Sequence, residues 1–163
     1  MNKKTEEAMN EQINKELYSA YLYYAMSAYF EEMNLKGMAH WMRIQAGEEQ
    51  EHAHKFYEHI VRRGGRVKLK AIAAPDMKFQ SPLAAWEAAY KHEQMITQSI
   101  HSLVELATAE KDHAAQPLLQ WFVEEQIEEE ENTIEVVNRL KMTKDSGHAI
   151  LMVDRELGSR KED

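Results

Sequence analysis

Residues 38–56, MAHWMRIQAGEEQEHAHKF, decide the fold. Met38, Met42, Gln45, Glu49, His52 and Phe56 keep the alternating four-and-three spacing that turns one side of a helix toward a core. The stripe is apolar at both ends and polar in the middle. Three other segments repeat the plan. They are Ile13, Glu16, Ala20, Tyr23, Ser27, Phe30; then Trp86, Tyr90, Glu93, Thr97, Ile100, Val104; then Leu119, Phe122, Gln126, Glu129, Thr133, Val136, Leu140. Each stripe carries a carboxylate where a core residue belongs. A lone carboxylate there is strongly disfavoured and tends to neutralise itself by taking up a proton. Four of them, one per helix, call for a shared compensating charge, and a pair of metal ions at the centre of a four-helix bundle supplies it.

Composition agrees with an all-α fold. The 163 residues suffice for one domain with a sizeable core, and helix formers abound against only 6 Gly and 3 Pro. The spacing predicts a first helix over about 5–33, broken by Asn34-Leu35-Lys36-Gly37, and a second over about 38–63, ended by Gly64-Gly65. So short a connection makes these two antiparallel neighbours. Residues 64–80, with Pro75, show no helical stripe. Ser81-Pro82 then reads as an N-cap followed by proline at the first helical position. A 17-residue linker reaches up to roughly 56–60 Å when extended. The second helix is only ~39 Å long, so the linker can cross the whole bundle and leave the second and third helices parallel. The third helix runs to about Glu110. After the turn Lys111-Asp112-His113, the fourth runs to about Met142, with Pro117 tolerated in its first turn. A short fifth helix is expected over about 148–157, followed by a frayed end from Ser159 to Asp163. The expectation is one domain over 1–163, with the bundle at about 5–142.

Charge and residue usage narrow the function. A net charge of −8 lacks the basic footprint of a nucleic-acid binder and favours cations. The absence of cysteine excludes disulfides, thiolate catalysis, iron–sulfur clusters and zinc–thiolate sites. No apolar run approaches the ~20 residues of a membrane span. MNKKTEEAMNEQ has no apolar signal-peptide core, so a cytoplasmic location is the default expectation.

The sharpest local motif is Glu49-x-x-His52. Positions i and i+3 share one helical face, so both side chains can reach one metal, the spacing used in dinuclear carboxylate bundles. Glu16 and Glu93 stand at matching places on the first and third helices. On the fourth, Gln126-x-x-Glu129 stands where a symmetric plan would put Glu-x-x-His. Gln126 can ligate weakly or hydrogen-bond a bound water or peroxide. Carboxylates with one imidazole suit iron or manganese and leave room for oxygen ligands. Tyr23, seven residues after Glu16, is either a core aromatic with its hydroxyl satisfied, or a second-sphere donor or redox-active phenol. The run Glu124-Glu125-Gln126-Ile127-Glu128-Glu129-Glu130-Glu131 is either a solvated face or, through Glu125 and Glu128 with Glu48, a further cation site relieving like-charge repulsion. The remaining histidines, His40, His54, His59, His92, His101, His113 and His148, read as surface or packing residues. The 10 Met read as core filling, and Trp41, Trp86 and Trp121 as interhelical packing.

The stretches NEQINKELYSAYLYY, GEEQEHAHKFYEHI, YKHEQMITQSI, LQWFVEEQIEEEE and DRELGSR together resemble bacterial non-haem ferritins over nearly the whole chain. The resemblance implies a ferritin-like four-helix bundle with one long crossover and a short fifth helix. By resemblance, Glu16, Glu49 and His52 bind one iron, and Glu49 bridges to a second held with Glu93 and Glu129, with Gln126 nearby. Glu48, Glu125, Glu128 and Glu129 match an additional iron site. The resemblance further implies ferroxidase activity on ferrous iron with oxygen or hydrogen peroxide, and a hollow homo-oligomeric shell of 24 subunits filled with ferric mineral. No haem is expected, because Gln50 follows the bridging Glu49 where a bacterioferritin has its haem-ligating methionine. Rubrerythrin would need cysteines, and the DNA-protecting mini-ferritins lack a fifth helix. The competing functions are a bundle that only buffers metal and a purely structural helical oligomer.

Overall fold

The computed structural model describes residues 1–161. Among them are α1 (Lys3–Glu32), α2 (Lys36–Arg62), α3 (Pro82–Ala109), a 3-10 turn (His113–Ala115), α4 (Gln116–Thr143) and α5 (Gly147–Leu157). Side-chain contacts give the directions. Ser27 bonds Ala39 and Gln50 bonds Tyr24, so α1 and α2 are antiparallel. Lys4 reaches Glu110 and Tyr23 reaches Glu93, so α1 and α3 are antiparallel as well. It follows that α2 and α3 are parallel. Arg63 meets Asp112 and Gln45 meets Glu129, which sets α4 against α2. The crossover is clipped along α1. Asn10 binds the Arg66 carbonyl and the Lys68 amide, Asn14 binds the Lys70 and Ala71 carbonyls, and Phe79 packs edge-on against Tyr29. Residues 64–80 thus travel the length of the bundle, as their reach allows.

Helix starts follow their caps. Asn2 Oδ1 accepts from the Lys4 amide at 2.8 Å, so α1 begins at Lys3, two residues earlier than the stripe indicated. Ser81 Oγ accepts from Ala84 as its sequence predicts. Leu35 offers α2 no side-chain cap. Asp154 of α5 does so from afar, accepting from the Met38 amide at 2.8 Å. Gly64 takes the left-handed conformation, φ +69, that ends α2.

The stripes of α1, α2 and α4 are buried at every position named above. On α3 the buried face is turned by about one residue. Ala89, His92, Ile96 and Leu103 are inside, while Tyr90, Thr97 and Val104 are only half-buried. The reason is the α1 contact, where His92 sits 2.7 Å from Ser19 Oγ. The core divides in two. One apolar cluster holds Phe30, Met38, Met42, Trp41, Trp86 and Val136, and the other holds Ile13, Phe56, Ile60, Ile100, Leu119 and Phe122. A layer of polar side chains lies between them.

Candidate metal centre

Each helix of the bundle delivers its carboxylate to that layer. Glu16 (α1), Glu49 (α2), Glu93 (α3) and Glu129 (α4) are all at most 3% exposed. Glu16, Glu49 and His52 offer ligand atoms within 4.8 Å of one another, and so do His52, Glu125 and Glu129. His52 joins the two groups. Its Nδ1 lies 3.5 Å from Glu49 and its Nε2 3.6 Å from Glu125, ion-pair contacts too long for hydrogen bonds. Edge contacts with Trp121 and Phe122, each 5.6 Å between centroids, fix the ring.

The carboxylates are oriented by amides and a phenol. Gln12 donates to Glu16 Oε1 at 2.7 Å. Gln45 donates to Glu129 Oε2 at 2.8 Å and to Glu49 Oε1 at 3.3 Å. Tyr23 donates its hydroxyl to Glu93 Oε1, while Gln126 donates to Glu93 Oε2 at 3.2 Å. Glu16 Oε2 and His52 Nδ1 are buried with no hydrogen-bond partner among the described residues. Two orphaned ligand atoms in one cluster are what a bound divalent cation would satisfy, and the oxygen-rich donor set suits iron.

Protonation follows from burial and crowding. Burial, then the charge of Glu49, pushes Glu16 up to about 8. Burial and Glu49 do the same to Glu93, also to about 8. Burial, with Glu93 and Glu49 beside it, holds Glu129 well above the usual range. Burial would raise Glu49 too, but the imidazolium of His52 outweighs it and keeps Glu49 below its ordinary value. For His52 itself burial favours the neutral ring, and Glu125, Glu49 and Glu16 override it, raising the imidazole well above its usual range. Burial and the charges of Glu93, Glu49 and Glu129 keep Tyr23 a neutral donor. Without metal the layer is therefore one ion pair, Glu49–His52, among protonated carboxyls.

A model of the ferritin-like domain matches residues 6–143. The chain is 39% identical over 160 residues to the bacterial non-heme ferritin of Bacteroides fragilis, covering 98% of this chain and 99% of that one. It is 36% identical over 154 residues to the Staphylococcus aureus protein of the same name, covering 94% and 93%. The chain belongs to the ferritin family. Solved ferritins agree at the level of coordinates. The open-pore ferritin of Archaeoglobus fulgidus superposes with a TM-score of 0.98 at 46% identity over 99% of both chains. An engineered closed form of the A. fulgidus ferritin gives 0.98 at 46%, covering 100% of this chain and 99% of that one.

Within this ferritin chain the expected residues do not all converge. Glu16, Glu49, His52, Glu125 and Glu129 come together, and Glu93 closes the layer through Tyr23 and Gln126. Glu128 is exposed, and Glu48 is turned to Arg160, whose Nη2 lies 2.6 Å from its Oε2. Gln126 also lines an open groove on the α3–α4 face beside Thr97, His101 and Glu130, so the layer approaches the surface there. Four participants were given no part in the site by the sequence reading, although Gln45 was placed on the inward stripe. Gln12 and Gln45 each stand four residues before a buried Glu, a spacing that pairs side chains on one helix face and offered a usable signal. His92, read as a surface or packing residue, is buried against Ser19, and burial lowers its affinity for a proton. Arg160 lies in the segment expected to fray, and no local pattern marks it.

Proposed function

We propose that this chain stores iron and oxidises Fe(II) to Fe(III) at the Glu16–Glu49–His52–Glu93–Glu129 layer. The observation that carries the reading is the buried Glu16–Glu49–His52 group with its two unsatisfied ligand atoms. Two Fe(II) ions each give one electron, and oxygen takes both with two protons to leave as hydrogen peroxide. Peroxide in turn takes two electrons and two protons to give water. Glu49, central to the layer, bridges the two irons. Glu16 and His52 hold one iron, and Glu93 and Glu129 the other. Gln126, tied to Glu93, faces the oxidant. Iron must displace the protons of Glu16, Glu93 and Glu129, since only carboxylates ligate, so these groups release protons as iron enters. Glu48, Glu125 and Glu128, with Glu129, hold a third iron on the way out, and the ferric product is stored in a 24-subunit shell of this chain. The protein works in the cytoplasm, without haem.

Aerobic addition of Fe(II) to the metal-free assembled protein tests this. Rapid ferric absorbance with many irons retained per particle is expected. Stoichiometric uptake without oxidation would instead mark a metal buffer, and no uptake a structural oligomer.

A further inference from the structure

Beyond α5 the chain turns back over α2. The Arg160 amide bonds the Leu157 carbonyl at 3.3 Å, and the Arg160 carbonyl accepts from His40 Nε2 at 2.8 Å. The guanidinium lies over the Trp41 ring, 4.2 Å from its centroid. It then forks. Nη1 donates to Gln45 Oε1 at 2.9 Å, and Nη2 donates to Glu48 Oε2 at 2.6 Å. Gln45 passes the contact inward, because its amide nitrogen donates to Glu129 and Glu49. One tail residue thus grips a proposed third-iron ligand and the glutamine that orients two buried carboxylates.

A guanidinium is a fixed positive charge. A guanidinium at Glu48 and a divalent cation at the same carboxylate repel each other strongly in a half-buried setting. They are alternatives. The tail is equipped for exchange, since beyond Arg160 Nη2 the residue is held by a π face, a guanidinium bond to the uncharged Gln45 oxygen, a His40 bond to its carbonyl and a 3.3 Å turn bond, with no second carboxylate among these contacts. We propose that Arg160 is a built-in counter-cation for the third metal position, occupying Glu48 in the metal-free protein and yielding it, with the tail, when a divalent ion arrives. This rests on the third position of the proposed function. It assigns Arg160 a positioning role, acting through Gln45 and Glu48 rather than on the reacting atoms.

The test is anaerobic calorimetric titration of the assembled protein with Fe(II), comparing the native chain with Arg160→Gln, Arg160→Lys and Glu48→Gln. Hydrogen exchange at 157–161 is followed in parallel. With the competitor removed, Arg160→Gln should bind the third equivalent about two- to fivefold tighter, the equivalent of a partly exposed ion pair released. The first two equivalents should change less than the third, since Arg160 reaches their carboxylates only through Gln45. Arg160→Lys keeps the charge and should remain near native. Glu48→Gln should lose the third equivalent. In the native protein, exchange at 157–161 should quicken as the third equivalent fills. A third equivalent that Glu48→Gln abolishes but Arg160→Gln binds no more tightly overturns the counter-cation alone. So does an Arg160→Gln protein that is merely less stable. No third equivalent in any form overturns the third position itself, and the counter-cation with it.

Discussion

At the scale of single residues, the layer is organised around one charge pair. Glu49 stays ionised because His52 is protonated, and Glu16, Glu93 and Glu129 stay neutral because Glu49 is ionised and water is excluded. Glu49→Ala removes that anchor and the carboxylate proposed to bridge the two irons. The expected outcome is an initial Fe(II) oxidation rate at least about tenfold lower by stopped-flow absorbance, a loss of more than roughly 1.4 kcal/mol in barrier terms. The helical content should be retained. An unchanged rate in assembled Glu49→Ala protein would remove Glu49 from the centre. Tyr23→Phe tests the phenol. It leaves Glu93 Oε1 without its donor, so metal-free stability should fall by about 1–3 kcal/mol in denaturant melts. A stability equal to the native protein would mean the contact contributes nothing. The buried carboxylates of the layer were legible in the sequence because a charged residue on an apolar stripe contradicts its surroundings. Arg160 was not, because its partners Trp41, Gln45 and Glu48 lie more than a hundred residues away and its own neighbours are polar.

At the scale of elements, helix identities were legible and helix ends were less so. Stripes predict which residues face inward, whereas ends depend on whichever group satisfies the free backbone amides. For α2 that group is Asp154 on α5, and no reading of residues near 36 could supply it. The α2–α5 junction is also a place of close backbone approach. A Cβ built on Gly37 would stand 1.7 Å from the Asp154 carbonyl oxygen and 2.9 Å from the Gly158 nitrogen. Gly37→Ala must therefore push α5 away, taking the cap and the Arg160 tail with it. A destabilisation of about 1–3 kcal/mol is expected, with faster hydrogen exchange confined to α5 and the start of α2. Asp154→Ala removes only the cap and should cost about 1 kcal/mol, without the spread to residues 157–161. Equal exchange in both variants would show that the close approach at Gly37 does not hold the fifth helix. The turned stripe of α3 belongs to this scale too. Periodicity fixed its pitch, but which side faces α1 depends on a tertiary contact between Ser19 and His92.

At the scale of the whole molecule, the polar layer ties stability to pH and to metal. Glu16 and Glu93 bind a proton up to about 8 in the folded chain but only to the ordinary carboxylate range when unfolded. A carboxyl raised in this way contributes stability that is present at low pH and lost as pH climbs toward the folded value. Glu129, raised, and His52, raised above its unfolded value of about 6.5, act in the same sense. Glu49 is depressed, so its contribution is lost only in acid, and His92, also depressed, opposes the trend only near its unfolded value and fades above it. Between pH 6.5 and 8 the raised groups Glu16, Glu93, Glu129 and His52 therefore outnumber it and push one way. The metal-free protein should lose stability across this window, with a slope of up to about 1.4 kcal/mol per pH unit for each proton retained only by the folded state. A divalent ion reverses the balance, because it takes the deprotonated carboxylates and neutral imidazole that alkaline pH favours. Thermal melts at fixed protein concentration, in chelator and in saturating Zn(II), check both halves. The chelated protein should melt lower at pH 8 than at pH 6.5, and the gain from zinc should widen over the same interval through ligand linkage. Glu16→Gln and Glu93→Gln imitate the protonated carboxyls, so each should flatten the chelated slope while narrowing the zinc gain. A chelated melting temperature that holds level or rises between pH 6.5 and 8, in a protein whose Glu16→Gln variant behaves identically, would show that the layer does not store protons for metal to displace.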